Sequence, residues 1–428
     1  MKRFFAVVLC VAIAMGGVLV TSIGAQEKTL TVWDIYPAGT PFRKVLDGAI
    51  ERFKATNPGY EVQVVSYGDM SNYKMKFATM LAAGARDVDV FQTWGGGQLA
   101  TYARRGQVLD LTPSMKKDNW QARFSDAALE FVSADGKIWG VPVELANVLV
   151  YYNKPMFEKY GISVPTTFDQ LIAACQKLKS NGIIPMALAM NKAEWVGDLY
   201  YQYLVTRVGG LDPFRKAIAR EPGGSFKDPA FIEAAQLLQK MVDSGCFQEG
   251  FMGAEYASMR QLFTQEKAAM LLMGSWLPGQ IASEAPDFLP KVDYFRFPTV
   301  KNGKGKITEV VGGTNAAFAV TKSCKYPEAA IALLKEFSSD KTASDVLTIA
   351  KRLPAVKYNY DPKQIDALTI RVANELNNST GIQLYYDQSS TPSLAQTHLA
   401  AIAALYAKTT TPEKLAAEWE AAAEKELK

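Results

Sequence analysis

Aromatic and polar side chains follow several predicted strands of this chain, at the point where each strand ends. They lie in Trp33-Asp34, Tyr67-Gly68-Asp69, Gln92-Thr93-Trp94, Trp276 and the segment Gly312 to Asn315. In open α/β sheets, ligands bind in the crevice outside the carboxyl ends of the strands. An aromatic ring there covers the apolar face of a sugar, while amides and carboxylates bond its hydroxyls. Taken singly, each ring is more often a core residue; together they predict a site with a carbohydrate-like set of side chains.

The run from Ala268 to Gly279 is the most informative of these segments. Its first half is short and continuously apolar, which predicts a fully buried strand. We interpret Gly274 as the end of that strand and Pro278-Gly279 as a turn, so that Trp276 lies just past the strand end. A core tryptophan at a strand–loop junction explains this segment about equally well, and the rest of the chain favours a binding site.

Residue types that would support catalysis are sparse. The single histidine, His398, lies in an apolar, helix-like context, and Ser-His-Asp or Cys-His catalysis would have to pass through it. The sequence has no His/Cys cluster with metal-ligand spacing, and Gly95-Gly96-Gly97 lacks the lysine and Ser/Thr of a phosphate-binding loop. These absences favour a binding protein without metal or cofactor. A secreted carbohydrate-active enzyme that uses two carboxylates, such as Asp34 and Glu144, is the alternative.

Strand and helix patterns alternate in the part of the chain that carries the first of these residues. Strand–helix–strand–helix–strand within about eighty residues indicates a parallel sheet with helices on both faces. The middle of the chain is more helical and indicates a second αβ domain. The first patterns cover Thr29–Asp34, Phe42–Thr56, Tyr60–Ser66, Tyr73–Ala83 and Val88–Gln92; later helices are predicted over Phe168–Ser180, Phe231–Ser244, Tyr256–Gln265, Pro327–Ser338 and Pro412–Leu427, with a strand over Asn315–Val320.

The first 25 residues have the parts of a secretory signal peptide. Lys2 and Arg3 precede an apolar stretch from Phe4 to Val20, and small residues lead up to Ala25. We expect cleavage after Ala25 and a mature protein that is free in a periplasm or outside the cell. An uncleaved membrane anchor is the alternative.

Charge and cysteine content exclude some partners and leave one question open. Without Lys2 and Arg3 the chain has 45 basic and 43 acidic residues, which gives no electrostatic argument for a nucleic-acid or anionic-membrane partner. Cys175, Cys246 and Cys324 are an odd, widely spaced set rather than a disulfide framework. A bond between two of the three stays open.

Several short motifs along the chain occur together in one known family. They are the first strand Thr29–Asp34, Val90–Trp94, Gly140–Pro142, Val148–Lys154 with its Tyr-Tyr-Asn-Lys stretch, Gly274-Ser275-Trp276, Gly312-Gly313 with Asn315, and Arg352–Val356. In these motifs the chain resembles the family 1 extracellular solute-binding proteins of ABC sugar importers. The resemblance covers essentially the whole mature chain.

The resemblance implies a periplasmic-binding-protein fold: two αβ lobes, each a mostly parallel sheet flanked by helices, hinged by three crossings. It places the first lobe at 26–146 plus 315–351 and the second at 147–314 plus 352–428. The lobes would close on a carbohydrate, which we expect to be a di- or oligosaccharide, and the closed monomer would deliver it to the permease subunits of an ABC transporter. A binding protein for a non-sugar solute, such as a polyamine or a metal chelate, is a further alternative.

The same resemblance implies contacts to the ligand. Trp94 and Trp276 match stacking aromatics, Glu144 matches a position that bonds hydroxyls, Glu194-Trp195 matches a polar–aromatic pair, and Tyr386-Asp387-Gln388 matches a late segment that reaches the cleft. The glycines after Trp94 depart from the bulkier residues of many relatives, which leaves the contacts on that side undefined. The predicted ligand-binding residues are Trp33, Asp34, Tyr67, Asp69, Gln92, Trp94, Glu144, Glu194, Trp195, Trp276, Gly313, Asn315, Tyr386, Asp387 and Gln388.

Overall fold

The computed structural model describes residues 28–427. The predicted signal peptide therefore lies outside the described residues. Within this range, no helix combines the length and the apolar character needed to cross a membrane. Cys175 and Cys246 are buried, Cys324 is half-buried, and all three are free thiols.

Strands from distant parts of the sequence form one mixed sheet. The order along its main path is β2-β1-β3-β10-β6-β8-β7; β11 and β9 pair with β6, and β12 pairs with β10. The strands of this sheet are β1 (Lys28–Asp34), β2 (Tyr60–Ser66), β3 (Val90–Thr93), β6 (Val141–Asn153), β7 (Ile184–Met186), β8 (Ala268–Gly274), β9 (Val292–Phe295), β10 (Glu309–Val320), β11 (Leu353–Pro354) and β12 (Gly381–Leu384). The short strands β4 (Ser133–Ala134) and β5 (Lys137–Ile138) form a separate two-stranded sheet.

Helices flank this sheet. Many begin with a local signal that the sequence supplies, such as Pro41 in the first turn of α1 or the capping box formed by Thr167 and Gln170 at α7. The helices are α1 (Pro41–Thr56), α2 (Met70–Ala82), α3 (Gly96–Arg104), α4 (Thr112–Lys116), α5 (Asp126–Glu130), α6 (Lys154–Lys159), α7 (Phe168–Ser180), α8 (Glu194–Gly209), α9 (Asp212–Ile218), α10 (Pro229–Asp243), α11 (Tyr256–Thr264), α12 (Leu277–Glu284), α13 (Pro327–Phe337), α14 (Asp340–Thr348), α15 (Ala367–Asn377), α16 (Tyr386–Ser389), α17 (Pro392–Tyr406) and α18 (Pro412–Glu426).

Two long strands connect the halves of the molecule. The first part of β6 pairs with β10, whereas its last part, from Val148 to Asn153, pairs with β8 and β9. Strand β10 pairs with β12 at its start and with β3 at its end. A third connection follows α14, where Leu353-Pro354 pairs with Leu145 and Glu144 of β6. Three segments of chain thus run side by side between the two halves.

The buried apolar side chains fall into clusters on either side of these connections. Two clusters occupy the first lobe, by which we mean the part built around β1, β2 and β3, with Phe91 and Phe318 among their members. The large cluster of the second lobe, built around β7, β8 and β9, includes Leu271, Tyr203 and Trp419. Each lobe therefore has its own core, which allows the two to move as units.

The structure corrects the interpretation of Pro278-Gly279 as a turn. Both residues lie in the first turn of α12, where proline loses no helical hydrogen bond and its fixed φ suits the helix. Gly279 packs against the chain of the third connection, because a Cβ there would lie 2.1 Å from the Ala350 carbonyl oxygen. The strand itself, β8, is confirmed and fully buried.

Candidate ligand-binding site

A ladder of aromatic rings leads along the first lobe to Trp94. The Trp33 and Tyr67 rings are 5.0 Å apart, Tyr67 and Tyr73 are 5.8 Å apart, and Tyr73 meets Trp94 edge-on at 5.9 Å. Trp94 directly follows β3, as predicted, and is 6% exposed. We call this ladder the first wall of the cleft.

The three glycines after Trp94 allow a close approach between the lobes. Gly95 has φ +76°, and a Cβ there would lie 2.1 Å from the carbonyl oxygen of Phe131. A Cβ on Gly96 would lie 2.4 Å from the Gln388 carbonyl oxygen, and one on Gly97 would lie 2.3 Å from that of Ser389. Side chains at Gly96 and Gly97 would therefore push α16 of the second lobe away from the first wall, and one at Gly95 would displace Phe131 within the first lobe.

The second wall consists of Trp195, Tyr256 and Trp276. The Trp195 ring lies 5.3 Å from Tyr256 and 6.2 Å from Trp276. The Trp276 indole nitrogen donates to the Tyr256 hydroxyl at 2.9 Å, and that hydroxyl donates to Gln280 at 2.8 Å. Glu194, the first residue of α8, is half-buried beside Trp195 in the sequence.

The residues before Trp276 explain how its ring is held. A Cβ on Gly274 would lie 2.0 Å from the Trp276 ring, so the indole folds back over the bare backbone of that glycine. Ser275 exchanges bonds with β6: its amide donates to the Asn147 carbonyl at 2.8 Å, and its hydroxyl accepts from the Asn147 amide at 3.4 Å. The Gly-Ser-Trp motif therefore fixes one ring at the edge of the sheet where the lobes meet.

A buried ion pair lies on the connections between the walls. The Arg352 guanidinium donates to the Glu144 carboxylate at 2.8 Å and lies over the rings of Phe42 and Tyr36. Burial raises the pKa of Glu144, although Arg352 and the nearby Asn315 amide act in the opposite direction. Burial also lowers the pKa of Arg352, but Glu144 more than compensates, so that Arg352 remains charged.

Polar atoms without partners lie on the same connections. Among the described residues, both side-chain amide atoms of Asn147 and the hydroxyls of Thr314 and Tyr385 are buried and make no hydrogen bond. Asn147 is directly opposite Gly312 in the sheet, and a Cβ on Gly313 would contact the Tyr385 ring at 3.5 Å. Such groups cost free energy unless a partner satisfies them. Their clustering here indicates a place where a polar ligand supplies the missing bonds.

The cavity at this position is almost closed. It measures about 10 Å³, and Trp94, Phe131, Thr314 and Tyr385 are among its lining residues. That space holds roughly one water molecule, whereas ligand pockets commonly measure about 300–1,000 Å³. A molecule of the size of a sugar ring would fit here only if the lobes separated.

One side-chain ion pair links the two lobes directly across this region. The Lys74 ammonium on α2 lies 3.1 Å from the Asp387 carboxylate on α16. It also lies 4.9 Å from the centroid of the Trp94 ring. The Gln98 side chain donates to the Asp387 carbonyl at 3.0 Å, so Asp387 contacts the first lobe through both its main chain and its side chain.

The structure places four predicted residues in internal roles. Asp34 is fully buried, pairs with Arg43 and accepts from the Tyr36 amide; burial raises its pKa, and Arg43 opposes that rise. Asp69 caps α2 by accepting from the Asn72 amide. Two further side chains are engaged in the same way: Gln92 bonds the Ile35 amide and the Tyr36 hydroxyl, and Tyr386 stacks on Phe214 in the second-lobe core.

The remaining predicted residues lie on the walls or on the connections between them. Trp33, Tyr67 and Trp94 form the first wall with Tyr73, and Trp195 and Trp276 form the second with Tyr256. Glu144, Gly313 and Asn315 lie on the connecting strands, and Asp387 and Gln388 contact the first lobe. Sequence reasoning missed Lys74, Asn147, Tyr256, Thr314, Arg352 and Tyr385 as site residues. Of these, only Thr314, in the segment Gly312 to Asn315, and Arg352, in the motif Arg352–Val356, lay in segments that had been singled out.

A larger depression lies elsewhere on the second lobe. It measures about 350 Å³ and is lined in part by Asp293, Arg296, Arg371 and Glu375. Its charged groups already pair with one another, Arg371 with Asp293 at 2.7 Å and Arg296 with Glu375 at 2.5 Å. Because these charges already satisfy one another and, in the described part of the chain, no aromatic wall from each lobe flanks the depression, we take the cleft between the two walls as the candidate ligand site. Residues 28–427 contain no group of three or more His, Cys, Asp or Glu placed to hold a metal ion.

Known proteins share both sequence and structure with this chain. The family described as bacterial extracellular solute-binding protein matches residues 37–344. An uncharacterized ABC transporter extracellular-binding protein of Pyrococcus horikoshii is 28% identical over 64% of this chain and 61% of its own length. A multiple sugar-binding protein of Streptococcus mutans is 29% identical over 52% of each chain. The chain thus spans less than two thirds of the length of these curated relatives.

A solved structure is similar over nearly its whole length. It comes from work on xylan utilization by the thermophilic bacterium Caldanaerobius polysaccharolyticus, and it is 34% identical to this chain. The two superpose with a TM-score of 0.85 over 92% of this chain and 99% of the other. This similarity confirms the two-lobed α/β fold predicted from the sequence.

Proposed function

The chain belongs to the bacterial extracellular solute-binding proteins, and from that premise we propose that it binds a di- or oligosaccharide between its two lobes and delivers it to an ABC transporter. The observation that carries this proposal is that aromatic rings and unpartnered polar atoms lie together at the cleft. Aromatic rings from both lobes flank connecting strands that bear buried, unpartnered polar atoms. A sugar ring has the matching chemistry, because it has apolar faces and hydroxyls on one small body.

The contacts available suffice for useful affinity. Burying an apolar ring face contributes about 1.5–3 kcal/mol, and each net hydrogen bond contributes about 1 kcal/mol. Two such faces and several bonds to Asn147, Thr314, Tyr385 and Asp387 reach about −8 kcal/mol, which corresponds to a micromolar Kd. A ligand that touches both lobes stabilises the closed form by its differential affinity for that form.

The alternatives receive less support from the same residues. For the two-carboxylate enzyme, Asp34 and Glu144 would have to act on the substrate, but each is held by an arginine. For a polyamine, an acid-rich cleft would be expected, and the walls are aromatic instead. The names of relatives also favour a sugar: the Streptococcus mutans protein is a sugar-binding protein.

The proposal also covers the location of the protein and the boundaries of its two lobes. We infer export by the signal peptide, cleavage after Ala25, and a monomer whose lobes are 26–146 plus 315–351 and 147–314 plus 352–428. The closed form would dock on transmembrane permease subunits and release the sugar there without chemical change. Mass spectrometry of the mature protein from the producing cell tests the cleavage site.

A thermal screen tests the ligand class. Purified mature protein is heated with neutral mono- and oligosaccharides, including xylo-, chito- and malto-oligosaccharides, and with spermidine as a non-sugar control. A ligand at about one hundred times its Kd adds about 2.7 kcal/mol, which raises the Tm of a chain of this size by about 2 °C or more. We expect a shift with one sugar class and no product by chromatography. No shift with any sugar would refute the carbohydrate proposal, and a shift with cleavage would support the enzyme.

A further inference from the structure

Two cysteines lie together in the core of the second lobe. Cys175 on α7 and Cys246, which follows α10, are both fully buried and belong to the same apolar cluster. Cys324, which lies shortly before α13, packs against the core of the first lobe instead. Within residues 28–427, the pair in the second lobe is therefore the one place where two thiols share a core.

Contacts on both sides of Cys246 hold it against α7. A Cβ on Gly245, the preceding residue, would lie 2.1 Å from the Lys179 side-chain nitrogen, so the Lys179 side chain lies on the bare backbone of that glycine. Lys179 is one turn beyond Cys175 on the same face of α7. The Cys246 carbonyl in turn accepts from the Met186 amide of β7, the strand that follows α7, at 2.9 Å. These contacts place Cys246 beside the turn of α7 that carries Cys175.

The electrostatics of the core agree with this placement. Burial raises the pKa of the Cys175 thiol well above its usual range, and the neighbouring Cys246 thiol raises it further. Burial also raises the pKa of the Tyr200 hydroxyl on α8, and both thiols add to that rise. Because the thiolate is the reactive form of cysteine, the two thiols are unreactive once this core has formed around them.

We propose that Cys175 and Cys246 form a disulfide bond while the exported chain folds. The inference rests on the export that the proposed function includes, since disulfides form and persist in oxidising compartments. One thiolate attacks an external disulfide, which gives a mixed disulfide and releases one thiol; the second thiolate then displaces the other thiol. The pair thus loses two protons and two electrons and gains one S–S bond, and the external disulfide is reduced to two thiols.

Burial of both side chains sets the time of this reaction and the fate of its product. The thiols meet an oxidant before the core of the second lobe closes around them, and afterwards the same core shields the bond from external thiols. The bond joins positions about seventy residues apart, and the segment between them includes α8 and α10. Closing a loop of this length restricts the unfolded chain, which stabilises the second lobe.

Peptide mapping of the exported protein tests the inference. The full chain is produced with its leader in a bacterium whose envelope contains thiol oxidants, quenched in acid, alkylated with N-ethylmaleimide under denaturing conditions and digested without reductant. We expect mass spectrometry to find the Cys175 peptide joined to the Cys246 peptide, and Cys324 alkylated. Three alkylated cysteines, or a bond that includes Cys324, in protein recovered outside the cytoplasm would overturn the inference.

Refolding of the purified chain answers the same question without export. Reduced, denatured protein is refolded either in a mixture of oxidised and reduced glutathione or in dithiothreitol. Wild type refolded in glutathione should have a Tm at least about 4 °C above that of wild type refolded in dithiothreitol. Cys324→Ala is the matched control and should show the same difference, whereas Cys175→Ala and Cys246→Ala should show none.

Two results of this refolding would overturn the inference. One is an equal Tm of the wild type in both conditions, and the other is a Tm difference that persists in Cys175→Ala. A chain that is not exported, by contrast, would contradict the proposed function, and the refolding comparison would still decide whether Cys175 and Cys246 pair.

Discussion

Trp94 and Trp276 both follow a buried strand, but the two lobes hold them in different ways. Trp276 folds over Gly274, donates to Tyr256 and contacts Trp195, so contacts within its own lobe fix its position. Trp94 has the Tyr73 edge on one side and the Lys74 ammonium 4.9 Å from its ring centroid. The second wall is therefore preformed by packing and hydrogen bonds, whereas the last ring of the first wall has a flexible charged side chain beside it. Preformed contacts lose less entropy on binding, so the difference between the walls predicts which substitutions affect stability and which affect affinity.

Truncating each tryptophan to alanine tests this comparison, and we expect it to have the largest effect of the substitutions considered. Trp276→Ala should lower the free energy of unfolding by about 3–5 kcal/mol, because it empties a packed position. Trp94→Ala should lower it by less, since one of its neighbours is the long, flexible side chain of Lys74, which can fill part of the space left by the ring. Urea unfolding measures both. An equal or greater loss for Trp94→Ala would contradict the distinction between the walls.

A buried carboxylate in the core of the second lobe, Glu420, should contribute a pH-dependent part of that lobe's stability. Burial raises the pKa of Glu420, but hydrogen bonds from Arg220 and the Phe226 amide outweigh this, so the pKa lies below its usual value of 4.5. Glu420→Gln should therefore lose about 1.5–3 kcal/mol at pH 7. The deficit should shrink as the pH falls below 4.5, because protonation then removes the same stabilisation from the wild type.

Urea unfolding at pH 7 and at pH 3.5 measures this prediction. Glu418→Gln, two residues away and exposed, is the control and should change little at either pH. A Glu420→Gln deficit of equal size at both pH values would show that charge is not its cause.

Gly274→Ala should disturb the preformed wall directly. The new methyl group would overlap the Trp276 ring, and such overpacking costs about 1–3 kcal/mol. Gly253→Ala is the control, because no atom lies within 4 Å of a Cβ there and its φ is not in the left-handed region. Differential scanning calorimetry should show a lower Tm for Gly274→Ala alone. Equal Tm values would mean that the indole moves aside at no cost.

Tyr256→Phe should have the smallest effect. It removes the hydroxyl that accepts from Trp276 and donates to Gln280, a loss of about 0.5–1.5 kcal/mol. We expect a modest fall in the free energy of unfolding and severalfold weaker sugar binding. Wild-type affinity would show that the hydroxyl does not position the indole for the ligand.

Local signals in the sequence predicted much of the fold. Periodicity and stop signals located β8 and α7, and α7 has the predicted bounds. The course of β6 from one lobe into the other was not predicted as a strand. It is buried on both faces and shows no alternation, and Pro142, Glu144 and Asn147 interrupt the continuous apolar run that identified β8. Pro278 shows why proline alone does not predict a turn, because proline is as suitable in the first turn of a helix as in a β-turn.

The site was predicted in part, and the gaps have a physical reason. Strand ends can be located from pattern, but successive side chains point to opposite faces, which is why Asp34 makes internal bonds while its neighbour Trp33 belongs to the first wall. Trp94 lies just beyond the end of β3, so its direction does not follow from the alternation within the strand. Lys74 and Asp387 meet across more than three hundred residues of sequence. No local sequence pattern predicts such a contact, which is seen only in the folded structure.

Titration calorimetry with the sugar found in the thermal screen tests the central claim most directly. The comparison is between wild type, Trp94→Ala and Trp120→Ala; Trp120 is a tryptophan of the same lobe that is 5% exposed and donates to Ser338 away from the cleft. Wild type and Trp120→Ala should bind one sugar each with similar Kd, and Trp94→Ala should bind at least tenfold more weakly. Equal binding by Trp94→Ala and wild type would contradict a sugar site between the lobes.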